Sequence, residues 1–315
     1  MPLSVSILIP CHNAETWIGA AVESALAQTY PHGEVIVVDD GSSDGSVEVL
    51  RGFGNAIRLE TGPNRGGNAT RNRLLELSEG EWLQYLDSDD YLLPDKIAAQ
   101  VAHLEAHPDI DILCSPATGE RYEGDITSRR FRPFPEPHDP WILLARWYLP
   151  QTGGPLWRKT AIARAGKWDV EQPCCQEHEL YSRLLVSGAR FGYLNQPGAI
   201  YRLWSTGTVS RKNKWEVYRR RLQIEDRIEA HLAKIGELTP ERQAAIDQAR
   251  FECARTIWSS DRDWAKSLIE QIRQHAPDFV PMGDAAPAFY RAVFQMLGFT
   301  AAEQVAQWKR SLVRS

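Results

Sequence analysis

Trp82-Leu83-Gln84-Tyr85-Leu86-Asp87-Ser88-Asp89-Asp90 reads as a buried strand that stops abruptly in three carboxylates within four residues. Such a cluster repels itself unless a cation sits in it. Asp87 and Asp89 alternate across one residue, and hard divalent ions such as Mg²⁺ or Mn²⁺ are held by one or two carboxylates plus substrate phosphate oxygens. The competing reading is an acidic turn that caps a helix beginning near Pro94. The neighbouring stretches decide between the two.

Working outward, Val5-Ser6-Ile7-Leu8-Ile9 before Pro10 and Val35-Ile36-Val37-Val38 before Asp39 are short β-branched runs, the pattern of strands buried on both faces of a parallel sheet. Between them Trp17, Ile18, Ala21, Val22, Ala25 and Leu26 recur at helical spacing. A second helix begins at Val47, a weaker strand covers Ile57-Arg58-Leu59, and a helix opens at Gly66-Gly67-Asn68-Ala69 and stops at Gly80. Beyond the acidic strand the pattern predicts a helix over 94–107, a strand over 110–114, and loops with a hairpin around 122–131. From about Trp215 the chain reads as amphipathic helices, with Thr239-Pro240-Glu241-Arg242 as a helix start. The expected organisation is an α/β domain over residues 1–212 and a helical C-terminal extension over 213–315.

Strands alternating with helices at this spacing imply βαβ units and a mostly parallel sheet flanked by helices. Ligands of such sheets bind beyond the carboxyl ends of the strands. The polar clusters fall at those ends: Cys11-His12-Asn13, Asp39-Asp40, Asn64-Arg65-Gly66 and Asp87 to Asp90. One crevice is expected to collect them.

Composition narrows the classes. The net charge of -5 over 315 residues offers no basic field for nucleic acid. Five scattered cysteines, Cys11, Cys114, Cys174, Cys175 and Cys253, match neither a disulfide framework nor a zinc site and fit a reducing compartment. No apolar run reaches bilayer length, and the N-terminus carries no apolar signal core. A cytoplasmic location is expected, with contact at the inner face of the membrane left open.

Individual clusters each keep an alternative. Asp40, or Asp39 in its place, is placed to accept from the imide N–H of a nucleotide base, or else simply caps the next helix together with Ser42 and Ser43. Gly66, Gly67 and Arg71 at a helix start favour an anion, unless Arg71 pairs with an aspartate. Neither GxxxxGK[ST] nor GxGxxG is present, so P-loop hydrolases and dinucleotide dehydrogenases lose ground.

Together, Ser6 to Asn13, Val37 to Asp44, Asn64 to Asn72 and Leu86 to Asp90, in this order and spacing, resemble the family 2 glycosyltransferases, which have the GT-A fold. The resemblance covers roughly residues 3 to 210. It implies that Asp87-Ser88-Asp89 holds Mn²⁺ or Mg²⁺ on a diphosphate, with Asp89 the principal ligand, Asp87 a second ligand or else acting through ribose or water, and Asp90 supporting the loop. It further implies that Asp40 reads the base and that Pro10, His12 and Asn13 line the nucleoside pocket, with Asn64, Gly66 and Arg71 on the donor side. Gly153-Gly154-Pro155-Leu156-Trp157-Arg158 resembles the segment under the acceptor site, bringing Gly154 and Trp157 into the candidate set.

Gln176-Glu177-His178-Glu179 aligns with the family's Glu-Asp motif. Glu177 then stands where the family has its catalytic Asp, and Gln176 replaces the preceding Glu. His178 is the alternative base, and Glu179 is expected to pair with Arg183 at i,i+4. After Tyr201-Arg202, where the family often carries a His, this chain has Trp204, which cannot ligate a metal but offers a ring for stacking.

What the resemblance implies is an inverting transferase that moves a sugar from a nucleoside-diphosphate sugar, a UDP-sugar first, to an acceptor hydroxyl. The acceptor is expected to be a saccharide or lipid-linked, in the synthesis of polysaccharide, lipopolysaccharide or another glycoconjugate. A nucleotide-sugar-binding scaffold without turnover is the competing reading, prompted by Gln176, Glu177 and Trp204. Peripheral membrane contact and a homodimer stay open.

Overall fold

Val5, Ile7, Leu8 and Ile9 are completely buried, and the strand they form, β1 (Val5–Cys11), has neighbours on both sides. The structure is a computed structural model describing residues 2–31, 33–123, 126–203 and 213–314. It divides into two units, Met1–Val217 and Tyr218–Ser315.

In the first unit β1 is followed by α1 (Ile18–Leu26), β2 (Glu34–Asp40), α2 (Ser46–Arg51), β3 (Arg58–Gly62), α3 (Gly67–Leu77) and β4 (Trp82–Tyr85). Then come β5 (Tyr91–Leu92), α4 (Lys96–Ala106), β6 (Ile112–Cys114), β7 (Ala117–Glu123), β8 (Ile126–Phe131), α5 (Pro140–Ala145) and β9 (Leu156–Arg158). The unit continues with α6 (Lys159–Arg164), α7 (Gln176–Val186), β10 (Phe191–Tyr193) and β11 (Ala199–Leu203).

The main sheet has the order β10-β6-β9-β4-β1-β2-β3. β1 pairs in parallel with both β2 and β4, so the chain steps outward through β2 and β3 and then returns to the opposite side of β1. That reversal makes a switch point between β1 and β4, where open α/β sheets leave a crevice at the carboxyl ends. Ile18, Ala21, Val22 and Ala25 of α1 join Val5, Ile7, Ile9, Val35 and Val37 in one apolar core, each buried Ile or Val side chain contributing roughly 1.5–3 kcal/mol.

Two features go beyond the sequence expectations. β9 lies between β4 and β6 and runs antiparallel to both, which interrupts the parallel pattern with a strand of three residues. The stretch expected to be loops with a hairpin supplies β7 and β8, which join β5 and β11 in a second, four-stranded sheet of order β5-β11-β7-β8. β11 pairs with β7 across some 80 residues of chain, a partnership that local composition does not carry. The acidic turn Asp87 to Asp90 connects β4 of one sheet to β5 of the other.

The second unit is helical. It is built from α8 (Lys214–Ile235), whose first turn lies before the unit boundary, α9 (Pro240–Ile257), α10 (Arg262–His275) and α11 (Ala288–Arg314). Thr239 caps α9 by accepting from the Arg242 N–H, and α11 is broken at Gly298, which takes φ 81°. Phe251 packs edge-on against Tyr290, Phe294 and Phe299. The fully buried Arg250 is neutralised by Glu229 at 2.6 Å and Asp226 at 2.7 Å.

Candidate active site

The first two strand ends are stitched together by hydrogen bonds between side chains and backbone. Asn13 takes φ 49°, and its Oδ1 accepts from the Ser43 N–H at 2.8 Å while Ser42 Oγ accepts from the Asn13 N–H at 2.9 Å. Gly41 has φ 72°, and a Cβ there would come within 2.7 Å of the Asn64 amide nitrogen, so only glycine lets the two loops approach this closely. Both oxygens of Asp40 accept backbone N–H groups, from Arg65 at 2.7 Å and Gly66 at 2.9 Å. His12 Nδ1 lies 3.0 Å from the Asp40 carbonyl oxygen.

Asp39 is the exception among the strand-end residues. It is 2% exposed and accepts from the Ser42 N–H, because successive residues of a strand point to opposite faces. Of the two candidates for base recognition, only Asp40 reaches the cleft described below.

The acidic turn is held from three directions. Arg71 Nη2 donates to Asp87 Oδ1 at 2.8 Å, Asp90 Oδ1 accepts from the Arg202 N–H at 2.9 Å, and Arg202 Nη1 donates to the Asp89 carbonyl at 3.1 Å. The Arg202 guanidinium lies over the rings of Trp17 and Tyr91. Burial, reinforced by Asp87 and Asp89, pushes the Asp90 carboxyl well above the usual range. Burial and the same three carboxylates push the Tyr201 phenol up to about 12. Asp87 and Asp89 both line the cleft, and oxygen donors of this kind fit Mn²⁺ or Mg²⁺.

Arg71 differs from its simplest reading as an open phosphate clamp. It is 7% exposed, and its Nη1 donates to Gln176 Oε1 at 2.8 Å. Trp168 sits below the guanidinium at 5.1 Å. Burial opposes its charge, but Asp87 and Glu177 outweigh that and raise its pKa. One guanidinium therefore ties the acidic turn to the first residue of α7.

α7 carries the second carboxylate. It starts after Cys175, which takes φ 57°, and Thr152 Oγ1 donates a hydrogen bond to Glu177 Oε1. Glu179 is buried and paired with Arg183 at 2.7 Å, the i,i+4 pair expected for it. His178 stacks on Trp147, with ring centroids 3.7 Å apart.

A cleft of about 680 Å³ collects these groups. It is lined by Pro10, His12, Asn13, Asp40, Asn64, Gly66, Arg71, Asp87, Ser88, Asp89, Glu177 and His178. Gly154 and Trp157 are buried and do not line it: β9 is an inner strand, and Trp157, 0% exposed, stacks on Tyr181 inside the domain. Trp204 lies outside the described residues. Trp147, Gln151, Gln172 and Tyr201 also line the cleft without having been singled out, and Thr152 was missed as well. Only Tyr201, the tyrosine of the Tyr-Arg pair, and Gln151 and Thr152, just before the Gly-Gly pair, stood at or near a recognisable signal.

Residues 6–162 match the model of Glycosyl transferase family 2. Over 103 residues the chain is 36% identical to the Escherichia coli protein named UDP-Glc:alpha-D-GlcNAc-diphosphoundecaprenol beta-1,3-glucosyltransferase WfaP, a match that covers 32% of this chain and 41% of that one. The chain spans about two fifths of the length of the curated relatives it matches. Among solved structures, S. aureus TarS 1–349 in complex with UDP-GlcNAc aligns with a TM-score of 0.61 at 19% identity, covering 92% of this chain and 82% of that one. Mannosyltransferase PcManGT from Pyrobaculum calidifontis, in complex with GDP-Man and Mn²⁺, aligns with a TM-score of 0.51 at 16% identity, covering 97% and 87%. These likenesses show the GT-A fold. Through residues 6–162, the chain belongs to glycosyl transferase family 2.

Proposed function

We propose that this chain is an inverting glycosyltransferase that moves a sugar from a nucleoside-diphosphate sugar, a UDP-sugar in first place, to an acceptor hydroxyl. The observation that carries the reading is that one cleft holds the Asp87 and Asp89 carboxylates, the Arg71 guanidinium and the Glu177 carboxylate. The TarS complex with UDP-GlcNAc supports the choice of uridine. The acceptor named for WfaP supports a saccharide or lipid-linked acceptor, in polysaccharide, lipopolysaccharide or other glycoconjugate synthesis.

Asp40 reads the base edge from the end of β2, with Pro10, His12, Asn13 and Asn64 around the nucleoside. Asp87 and Asp89 would hold the divalent cation, Mn²⁺ or Mg²⁺, which would supply charge neutralisation for the nucleoside diphosphate. Arg71, kept charged by Asp87 and Glu177, adds a fixed positive charge on the same side. Glu177, oriented by Thr152, takes the proton of the acceptor hydroxyl. That oxygen bonds to the anomeric carbon from the face opposite the diphosphate, so a single displacement inverts the configuration.

No helix among the described residues is long and apolar enough to cross a membrane. Work at the inner face of the membrane belongs to the proposal, supported by the exposed Phe289, Met296, Leu297 and Trp308 of α11; the same residues would serve a homodimer. The deciding experiment pairs UDP and Mn²⁺ calorimetry with a product assay over UDP-, GDP- and dTDP-sugars. Binding with sugar transfer or donor hydrolysis supports the transferase, and tight binding without either favours a scaffold that has lost turnover.

A further inference from the structure

α5 ends in a Schellman turn: the Trp147 N–H donates to the Leu144 carbonyl at 3.0 Å and the Tyr148 N–H to the Leu143 carbonyl at 2.8 Å. The residue just past such an end takes the left-handed conformation, and glycine is its usual occupant because it has no Cβ to clash. Here that residue is Trp147, at φ 59°. A tryptophan is strained in this region where glycine is not. The backbone offers no reason for it, so the reason lies with the ring.

That ring is held in place. It stacks on His178 with centroids 3.7 Å apart and planes 9° from parallel, and both residues line the cleft. His178 directly follows Glu177, so the stacked pair sits beside the carboxylate assigned as the base. Asn13 and Cys175 are also left-handed and also line the cleft, leaving Lys167 as the one described non-glycine residue of positive φ outside it. Strain of this kind clusters where the surrounding structure maintains it for function.

We propose that Trp147, backed by His178, is the platform on which a pyranose ring of the acceptor stacks. The assignment rests on the transferase reading above. A pyranose presents a face of C–H groups that packs on an aromatic ring and excludes water, while its hydroxyls project from the rim towards polar groups such as Glu177 and Gln151. The conjugated ring supplies the contact; the left-handed backbone sets its position at the end of α5. Tryptophan is retained at a position that costs stability because glycine, the easy occupant, has no ring.

The test uses the full chain with Trp147→Gly and Trp147→Phe. Three measurements are made: the melting temperature, UDP affinity by calorimetry with Mn²⁺, and saturation-transfer NMR with methyl β-D-glucopyranoside and methyl N-acetyl-β-D-glucosaminide in the presence of UDP and Mn²⁺. Trp147→Gly is expected to melt at or above the wild-type temperature, to bind UDP as wild type does, and to lose about fivefold or more of the pyranoside signal. Trp147→Phe keeps most of that signal. A pyranoside signal absent from the wild type or undiminished in Trp147→Gly overturns the platform, as does a parallel loss of UDP affinity or of melting temperature, which would mark the ring as a structural or nucleotide contact. A wild type that binds pyranosides but not UDP upholds the platform and counts against the nucleotide-sugar reading alone.

Discussion

Arg71 Nη2 stands 2.8 Å from Asp87 Oδ1, and the arginine side chain is 9% exposed while the aspartate keeps 27%. Through Nη1 the same guanidinium reaches Gln176 on α7, so one buried cation spans the acidic turn and the helix that carries Glu177. Arg71→Ala is expected to lower stability by about 2 kcal/mol, below the range for a fully buried pair because Asp87 is partly solvated. Arg71→Lys keeps the charge without the fork and restores only part of the loss. Urea unfolding measures both; an unchanged midpoint in Arg71→Ala would remove the clasp from the account.

Asp89→Ala is expected to reduce sugar transfer by roughly 10²–10³-fold. Folding stability should change by less than about 0.5 kcal/mol. Added chelator on the wild type should act in the same direction, and excess Mn²⁺ should reverse it. Full turnover in chelator would rule out the metal.

Glu177→Gln is expected to cut turnover by about 10²–10⁴-fold with nucleotide affinity preserved, as befits loss of a general base. Single-turnover kinetics with saturating donor separates the two quantities. An equal loss from His178→Gln with Glu177→Gln fully active would transfer the role to the imidazole.

Thr152→Val removes the hydroxyl that donates to Glu177. A hydrogen bond to a charged group is worth about 1.5–3 kcal/mol, so turnover should fall by about tenfold or more while the donor dissociation constant stays put. If Glu177→Gln is inactive and Thr152→Val is as fast as wild type, the hydroxyl has no part in orienting the base.

Lys96 is 3% exposed, and its Nζ has no hydrogen-bond partner among the described residues. Burial pulls its pKa well below the ordinary value, whereas in the unfolded chain the amine stays protonated up to about 10.4. Between those two values unfolding takes up a proton, so stability rises with pH through that window, at about 1.4 kcal/mol per unit. Lys96→Met should flatten that slope and add about 2 kcal/mol at pH 7. Denaturation midpoints at pH 6 to 10 decide the matter, and a methionine variant that is less stable at neutral pH would refute it.

Sequence legibility followed the range of the interactions. The β1 to β4 core could be read because its strands are continuous apolar runs and its helices have strong periodicity. Asp87 to Asp90 could be read because three carboxylates after such a strand conflict with burial. Other features were settled by partners far along the chain: the antiparallel insertion of β9, the pairing of β11 with β7, and the burial of Arg71 between Asp87 and Gln176. The position of Asp39 turned on a single step of strand alternation, which sends Asp40 to the cleft and its neighbour away from it. Trp157 carried a family expectation about a segment, but an inner strand turns that ring into the core. Trp147 left no local signal, since a tryptophan after Leu-Leu-Ala-Arg reads as ordinary helix.

The tie between Asp90 and residue 202 runs to a main-chain N–H, not to a side chain. Nineteen of the twenty amino acids can supply that donor, and only proline cannot. That one tie is therefore nearly indifferent to the residue at position 202, whereas the bond from Nη1 to the Asp89 carbonyl needs the arginine side chain. A change of side chain at position 202 would thus keep the hold on Asp90 and give up the hold on Asp89.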